Sequence, residues 1–75
     1  MKRLWYHGTV VLERRVGMNC DIKTMSYLDS AVSLQAAIGS AVSISMERNP
    51  GYHVASVNLF EIPDNIGKLI ANDYK

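Results

Sequence analysis

An alternating pattern of side chains from Arg3 to Arg15 constrains the fold of this chain more than any other feature. The stretch is rich in β-branched and aromatic residues, which favour strands. Successive side chains of a strand point to opposite faces, so every second residue shares a face. The pattern predicts a first β-strand with Leu4, Tyr6, Gly8, Val10 and Leu12 on one face and Trp5, His7, Thr9, Val11 and Glu13 on the other.

A second alternating stretch follows a turn marked by Gly17 and Asn19. From Met18 to Met25 the sequence alternates again, and the simplest interpretation is a β-hairpin that turns near Val16 to Met18. In this second strand Cys20 and Ile22 are expected on the inward face, and Asp21 and Lys23 on the outward one.

A long helix is predicted next, from Tyr27 to about Arg48. Ser26 is a suitable N-cap, and Asp29 would lie in the first turn, where the helix dipole favours a negative charge. Gly39, in the middle, is expected to permit close packing, and Asn49-Pro50-Gly51 ends the helix. At 100° per residue, one broad apolar side holds Tyr27, Leu28, Ala31, Val32, Leu34, Ile38, Ala41, Val42 and Met46.

The rest of the chain predicts a third strand, Tyr52 to Ile62, ended by Pro63, and then a short helix. Asp64 can cap that helix, which would span Asn65 to Asp73. The expected fold is a single α+β domain over residues 1–75. It has a small three-stranded antiparallel sheet, one long helix on a face and a short C-terminal helix, in the order β-β-α-β-α.

Length, charge and cysteine content exclude several classes of protein. The chain has 75 residues, a formal net charge of +1 and one cysteine. One cysteine excludes an intramolecular disulfide scaffold and a Cys-based zinc cluster. The near-zero charge argues against a dedicated nucleic-acid binder. Because a chain this short buries a limited core, we expect it to gain stability by self-association, as a homodimer.

The same composition favours a cytoplasmic protein. A lone thiol, Cys20, fits a reducing compartment. The N-terminal apolar run is broken by His7, Gly8 and Thr9, which is not typical of a signal peptide. The longest stretch of low charge, Ser30 to Met46, carries five serines and is too polar for a spanning helix. We therefore expect no membrane contact.

The residues that could carry chemistry do not form a recognised motif. His7 and His53 fall on strands one and three, and a metal site would need a third ligand such as Asp21 or Glu61, at no known ligand spacing. Cys20 could be a nucleophile with a histidine as base, but an inward thiol is usually inert packing. A chain of this size is not expected to enclose a pocket. We predict a non-enzymatic protein without cofactor or metal.

The strongest functional signal is the sheet face opposite the long helix. We expect Trp5, His7, Val11, Tyr52, Val54, Asn58 and Phe60 on it, a set too apolar to be simply solvated. Aromatic and histidine side chains with a polar handle anchor protein interfaces. The alternative is that the C-terminal helix covers this face with Ile66, Leu69 and Ile70. The predicted partner-binding residues are Trp5, His7, Tyr52, Phe60, Arg14 and Arg15.

Two further surfaces are open to more than one interpretation. Arg14-Arg15, with Lys2 and Arg3 on the same strand, could form a basic patch for phosphate, as in a nucleic acid, or for an acidic protein surface, or could simply be solvated. The small-residue helix side could allow close helix–helix approach in a dimer, or could face solvent; it consists of Ala36, Ala37, Ser40 and Ser43.

A resemblance adds one expectation. The run from Cys20 to Met25, passing into Ser26 to Val32, is similar to the strand-into-helix junction of many small phage and mobile-element proteins, including anti-CRISPR-like inhibitors. It implies a compact protein that occupies a partner's surface. The predicted function is a protein–protein interaction module that binds, and by this resemblance inhibits, a larger protein. The alternatives are a homodimer with nucleic-acid contacts through Arg14 and Arg15, and a small metal or thiol enzyme.

Overall fold

The fold class predicted from the sequence is confirmed. The structure is a computed structural model that describes the backbone of residues 3–73 and the side chains of residues 3–71. Its elements follow the order β-β-α-β-α, and its sheet has the strand order β2-β1-β3 with antiparallel pairing on both sides of β1. The elements are β1 (Leu4–Val16), β2 (Asn19–Ala31), α1 (Leu34–Arg48), β3 (His53–Ile62) and α2 (Asp64–Asp73).

The predicted hairpin is present and sets the register of the sheet. Val16 pairs with Asn19, so Gly17 and Met18 form a two-residue turn. Gly17 has a φ of 64°, and a positive φ at the first central residue is typical of the type II′ turns that join tightly paired strands. From this turn the pairing continues to Leu4 opposite Ala31.

The predicted start of the long helix is wrong. β2 continues through Ser26 and Asp29 to Ala31, and α1 begins at Leu34. The N-cap is Ser33, whose Oγ accepts a hydrogen bond from the Ala36 N–H at 3.1 Å. Pairing with β1 overrides the local capping signal, because a hairpin with a two-residue turn has strands of equal length and β1 is 13 residues long.

Register also corrects the predicted position of Cys20 and Ile22. They lie opposite Arg15 and Glu13, which places them on the sheet face away from α1, and both are exposed. We call the sheet face that α1 covers the inner face and the opposite one the outer face.

α1 packs on the inner face with its small residues. Its buried positions are Ala37, Ala41 and Ser45, spaced by one helical turn. The predicted broad apolar side is therefore buried only in part: Ala41 is buried, but Leu34 and Met46 are each 45% exposed. The close packing predicted at Gly39 is also wrong, because this residue is exposed and no atom lies within 4 Å of the place a Cβ would occupy.

The predicted end of α1 is confirmed. Asn49 is the C-cap, and its buried side-chain amide donates to the Ser45 carbonyl oxygen at 2.7 Å. The turn through Pro50 and Gly51, which has a φ of 87°, then leads the chain into β3.

β3 carries a bulge that the sequence pattern did not reveal. Val11 pairs with Ser56 but Leu12 pairs with Val54, so Ala55 is an extra residue. The bulge changes the alternation, so Val54, which was predicted on the opposite face, packs against the core together with Val57 and Leu59. The buried core comprises Tyr6, Val10, Leu12, Tyr27, Ala31, Ala37, Ala41 and Tyr52.

Candidate protein-binding surface

The outer face is the region that the sequence singled out for binding. Strand alternation and register place Trp5, His7 and Val11 of β1 there, beside Asn58 and Phe60 of β3. His7 is paired with Phe60, so the imidazole and the phenyl ring are cross-strand neighbours on the same face. Four of the predicted partner-binding residues were expected on this face, namely Trp5, His7, Tyr52 and Phe60. Of these four, His7 and Phe60 are exposed on it, Phe60 at 59%.

α2 covers one part of the outer face. Gly67 is buried against Trp5, and a Cβ at this position would overlap the indole ring. The absence of a side chain therefore lets the α2 backbone lie directly on Trp5, which is half-buried as a result. α2 packs mainly on β1 and β2, and leaves the β3 part of the outer face bare.

The predicted cover by α2 is thus realised in part, with different residues. Gly67 is buried and Ile70 is half-buried, while Ile66 is 43% and Leu69 is 64% exposed. Phe60 itself is 59% exposed, so these side chains do not shield it. Exposed apolar side chains are therefore found both on α2 and on the β3 part of the outer face.

An open cleft of about 640 Å³ lies where α2 approaches β2. It is open to solvent and is not an enclosed pocket. Sequence reasoning missed its β2 residues because it assigned them to the helix; the equal strand lengths of the hairpin would have revealed them. The lining residues are Trp5, His7, Ser26, Tyr27, Leu28, Asp29 and Ala71.

Tyr27 lines this cleft, but its phenol points to the inner face of the sheet and is buried in the core. Burial raises its pKa above the ordinary value of 10.0, and the charge of Asp29 acts in the same direction. A hydrogen bond with Ser40 of α1 opposes the shift. The neutral phenol therefore links β2 to α1 over the whole physiological pH range.

The predicted position of Tyr52 is wrong. Its side chain is buried in the core, 9% exposed, and does not belong to the outer face. Arg14 and Lys23 lie over its ring at 4.8 and 4.9 Å from the centroid, which are cation–π distances. The Lys23 Nζ also lies 3.5 Å from the Asn49 Oδ1, so Lys23 connects the end of α1 to the hairpin.

The predicted basic patch is divided between the two faces. Arg14 lies on the inner face, where its guanidinium donates to Asp21 Oδ2 at 2.9 Å, and this hydrogen bond is the main cause of its raised pKa. Arg15 is exposed and, as the next residue of the strand, points to the outer face. Arg3 is bound to Ser30, by Nε to Oγ at 3.0 Å and by Nη2 to the carbonyl oxygen at 2.6 Å.

The residues considered for metal or thiol chemistry are not arranged for it. His7 pairs with Phe60, whereas His53 pairs with Glu13, six residues further along β1 and about 20 Å away. The Glu13 carboxylate lies between His53, at 2.8 Å, and the Cys20 Sγ, at 3.9 Å, so the imidazole does not reach the thiol proton. Within residues 3–71 no three His, Cys, Asp or Glu side chains cluster as metal ligands would.

Neither of the helices in the described part of the chain combines the length and apolar character that a membrane span requires. Comparison with known proteins finds no match: no family model, no curated protein sequence and no solved structure is similar to this chain.

Proposed function

We propose that this chain is a non-enzymatic protein–protein interaction module that binds a larger protein through the bare part of its outer face. Phe60, 59% exposed beside His7, is the observation that carries the proposal. A large exposed aromatic side chain next to a side chain with a polar handle is the typical anchor of a protein interface.

The surroundings of Phe60 support a binding role over a role in stability. Asn58 on the same strand is exposed, and Thr9, its partner on β1, is half-buried, so polar side chains border the ring on one side. An apolar centre with a polar border is the usual composition of a protein-binding surface. Exposed Ile66 and Leu69 of α2 extend the apolar area on the same side of the sheet.

Two parts of the sequence-based hypothesis stay predictions. The inhibitory role came from a resemblance to small phage and mobile-element proteins, carried by a strand-into-helix junction at Met25–Ser26 that lies within β2. Nucleic-acid contact through Arg14 and Arg15 has less support, because the two side chains point to opposite faces and Arg14 is paired with Asp21.

Site-specific photo-crosslinking tests the proposal. Benzoylphenylalanine at position 60, introduced into the chain in its native cells, should give a discrete adduct with one heavier protein. The matched control carries the same group at position 43, which is exposed on the opposite side of the molecule, on α1. The adduct should be absent there.

A substitution complements the crosslink. Phe60→Ser should remove the adduct formed from position 7 while lowering the free energy of unfolding by less than about 1 kcal/mol, since most of the ring is already in water. Equal labelling from positions 60 and 43, or labelling from position 7 that survives Phe60→Ser in a folded chain, would contradict the proposal.

A further inference from the structure

α1 exposes large apolar side chains that its contact with the sheet does not use. Its small residues, Ala37, Ala41 and Ser45, face the sheet. Leu34, Ile38, Val42 and Met46 follow one another at intervals of four residues, so they form a continuous ridge along one side of the helix. Ile38 and Val42 are half-buried, and the ends of the ridge are exposed.

This ridge lies on the β3 side of α1. Ser40 forms its hydrogen bond with Tyr27, which belongs to β2. Val42 is two residues, or about 200°, further around the helix and therefore occupies the opposite flank. Val57 and Leu59 are half-buried on the inner face of β3, below this flank. Together Ile38, Val42, Met46, Val57 and Leu59 form an apolar strip, which we call the β3 strip.

The backbone of β3 is unpaired along the same strip. Val16 and Asn19 flank the hairpin turn as a hydrogen-bonded pair, so the backbone N–H and C=O groups of Val16 point to β2. Because these groups alternate in direction along a strand, those of the even-numbered residues of β1 point to β2 and those of the odd-numbered residues point to β3. Since His7 pairs with Phe60, the even-numbered residues of β3 bond to β1. The N–H and C=O groups of Val57, Leu59 and Glu61 therefore point outward from the edge.

Between the bulge and Ile62, Glu61 is the one charged residue on this edge, and it lies at the end of the strand. Natural edge strands are commonly blunted by lysine, proline or bulges. β3 contains no Lys, Arg or Pro from His53 to Ile62, and its bulge at Ala55 lies near its start, which leaves the part from Ser56 to Ile62 regular.

We infer that a second copy of this chain covers the β3 strip, giving a two-fold symmetric dimer with a continuous six-stranded sheet. This surface differs from the bare outer face, so the inference goes beyond the proposed function and does not rest on it. In an antiparallel register centred on Asn58, the outward N–H and C=O groups of Val57 in one copy bond to those of Leu59 in the other. Two-fold symmetry forms this Val57–Leu59 pair twice, so two pairs of apolar side chains also meet.

The size of the core favours a second copy as the occupant. The largest fully buried side chains of the single chain are Leu12 and Val10, a small core even for 75 residues. A dimer would bury the β3 strip of both copies at once and join the two cores through the sheet. Across the symmetry axis the β1 strands would be about 14 Å apart, and the ridges of the two α1 helices would fill the space between the helices.

The available area sets the expected strength. β3 is about 33 Å long, and the smallest extent of the molecule is 17 Å. An interface of these dimensions buries about 500 Å² per copy and about 1,000 Å² in total, which is the lower limit for a specific interface. The dimer is therefore expected to dissociate on dilution.

Cysteine crosslinking tests the inferred register. In a chain with Cys20→Ser, Asn58→Cys would place two thiols at a non-hydrogen-bonded pair whose Cα atoms are about 4.5 Å apart, within the range for a disulfide. The control is Thr24→Cys, at the centre of the β2 edge. We expect disulfide-linked dimers to form about tenfold faster from Asn58→Cys, because association raises the local thiol concentration. Equal rates would overturn the register.

Sedimentation over a dilution series tests the interface itself. The natural chain should show the mass of two chains at high concentration and of one chain at low concentration. Met46→Glu should shift this transition to at least tenfold higher concentration, whereas Ser43→Glu, on the solvent side of the same helix, should leave it in place; far-UV circular dichroism confirms folding of both.

A single-chain mass at every concentration, or equal behaviour of the two glutamate variants, would overturn the inference. If a partner still crosslinks at position 60 while the chain remains a monomer, the proposed function stands and the dimer does not.

Discussion

The two sides of the sheet differ in how completely the chain covers them. On the β2 side, α2 packs on the outer face, Arg3 binds the Ser30 carbonyl, and Asp21, Lys23 and Asp29 place charges along the edge. On the β3 side, Phe60 is bare, the edge has no lysine or arginine, and the ridge of α1 is half-exposed. An edge strand that has a single carboxylate, Glu61, near its end and apolar side chains on both faces is suited to pairing.

The largest loss of stability is expected from a substitution at Gly8, which lies on β1 between the β2 side and the β3 side of the sheet. Gly8 pairs with Tyr27 of β2 and Leu59 of β3, and the atoms that a Cβ there would overlap most belong to β3, namely the Asn58 carbonyl and the Leu59 backbone. Gly8→Ala should therefore separate β3 from β1 and lower the free energy of unfolding by about 3 kcal/mol. Urea denaturation measures the loss, and an unchanged midpoint would contradict the close approach.

Gly67→Ala should uncover the part of the outer face that α2 now covers, so that it becomes as exposed as the part on β3. The added methyl group would overlap Trp5, so α2 must move away from the outer face. We expect a loss of about 2 kcal/mol and a red shift of the tryptophan fluorescence, which reports only on Trp5 because it is the single tryptophan of the chain. Unshifted fluorescence would mean that α2 does not rest on this ring.

Gly39→Ala tests whether the side of α1 that carries Gly39 is exposed to solvent, unlike the apolar ridge of the same helix. Gly39 is exposed and has open space around it, so the substitution should stabilise the chain by about 1 kcal/mol through helix propensity alone. The dimer equilibrium should not change. A stability loss in thermal denaturation would indicate that this side of α1 is also a packing surface.

The smallest effect is a pH dependence on the β2 side. The pKa of Tyr27 is raised in the folded chain, chiefly by burial, so the folded state holds the phenol proton more tightly than the unfolded state does. This contribution is constant below pH 10 and is lost as the pH rises through the raised pKa. In Tyr27→Phe the alkaline decline of stability should be shallower, as measured by urea midpoints over an alkaline pH series; an identical decline would contradict the assignment.

The sequence predicted the elements that depend on local chemistry. The turn at Gly17 and the helix end at Asn49-Pro50-Gly51 could be recognised because a positive φ favours glycine and because proline cannot continue a helix. The exposed aromatic pair of the outer face, His7 and Phe60, could be recognised from alternation alone.

What was missed depends on contacts between distant residues. Ser26 and Asp29 look like a helix start, but their pairing with Thr9 and Tyr6 makes them part of a strand. Tyr52 looked like a surface residue because the bulge at Ala55 was invisible in the pattern. The small contact side of α1 was missed because apolar periodicity selects large side chains, whereas the distance between helix and sheet selects Ala37 and Ala41.

Amide hydrogen exchange, resolved by residue, tests the difference between the two sides most directly. The outward amides of β3, at Val57, Leu59 and Glu61, should exchange more slowly as the protein concentration is raised, because a second copy pairs with them. The outward amides of β2, at Thr24, Ser26 and Leu28, should exchange at the same rate at every concentration. Protection that is independent of concentration at β3, or that increases at β2 instead, would contradict the assignment of β3 as the pairing strand.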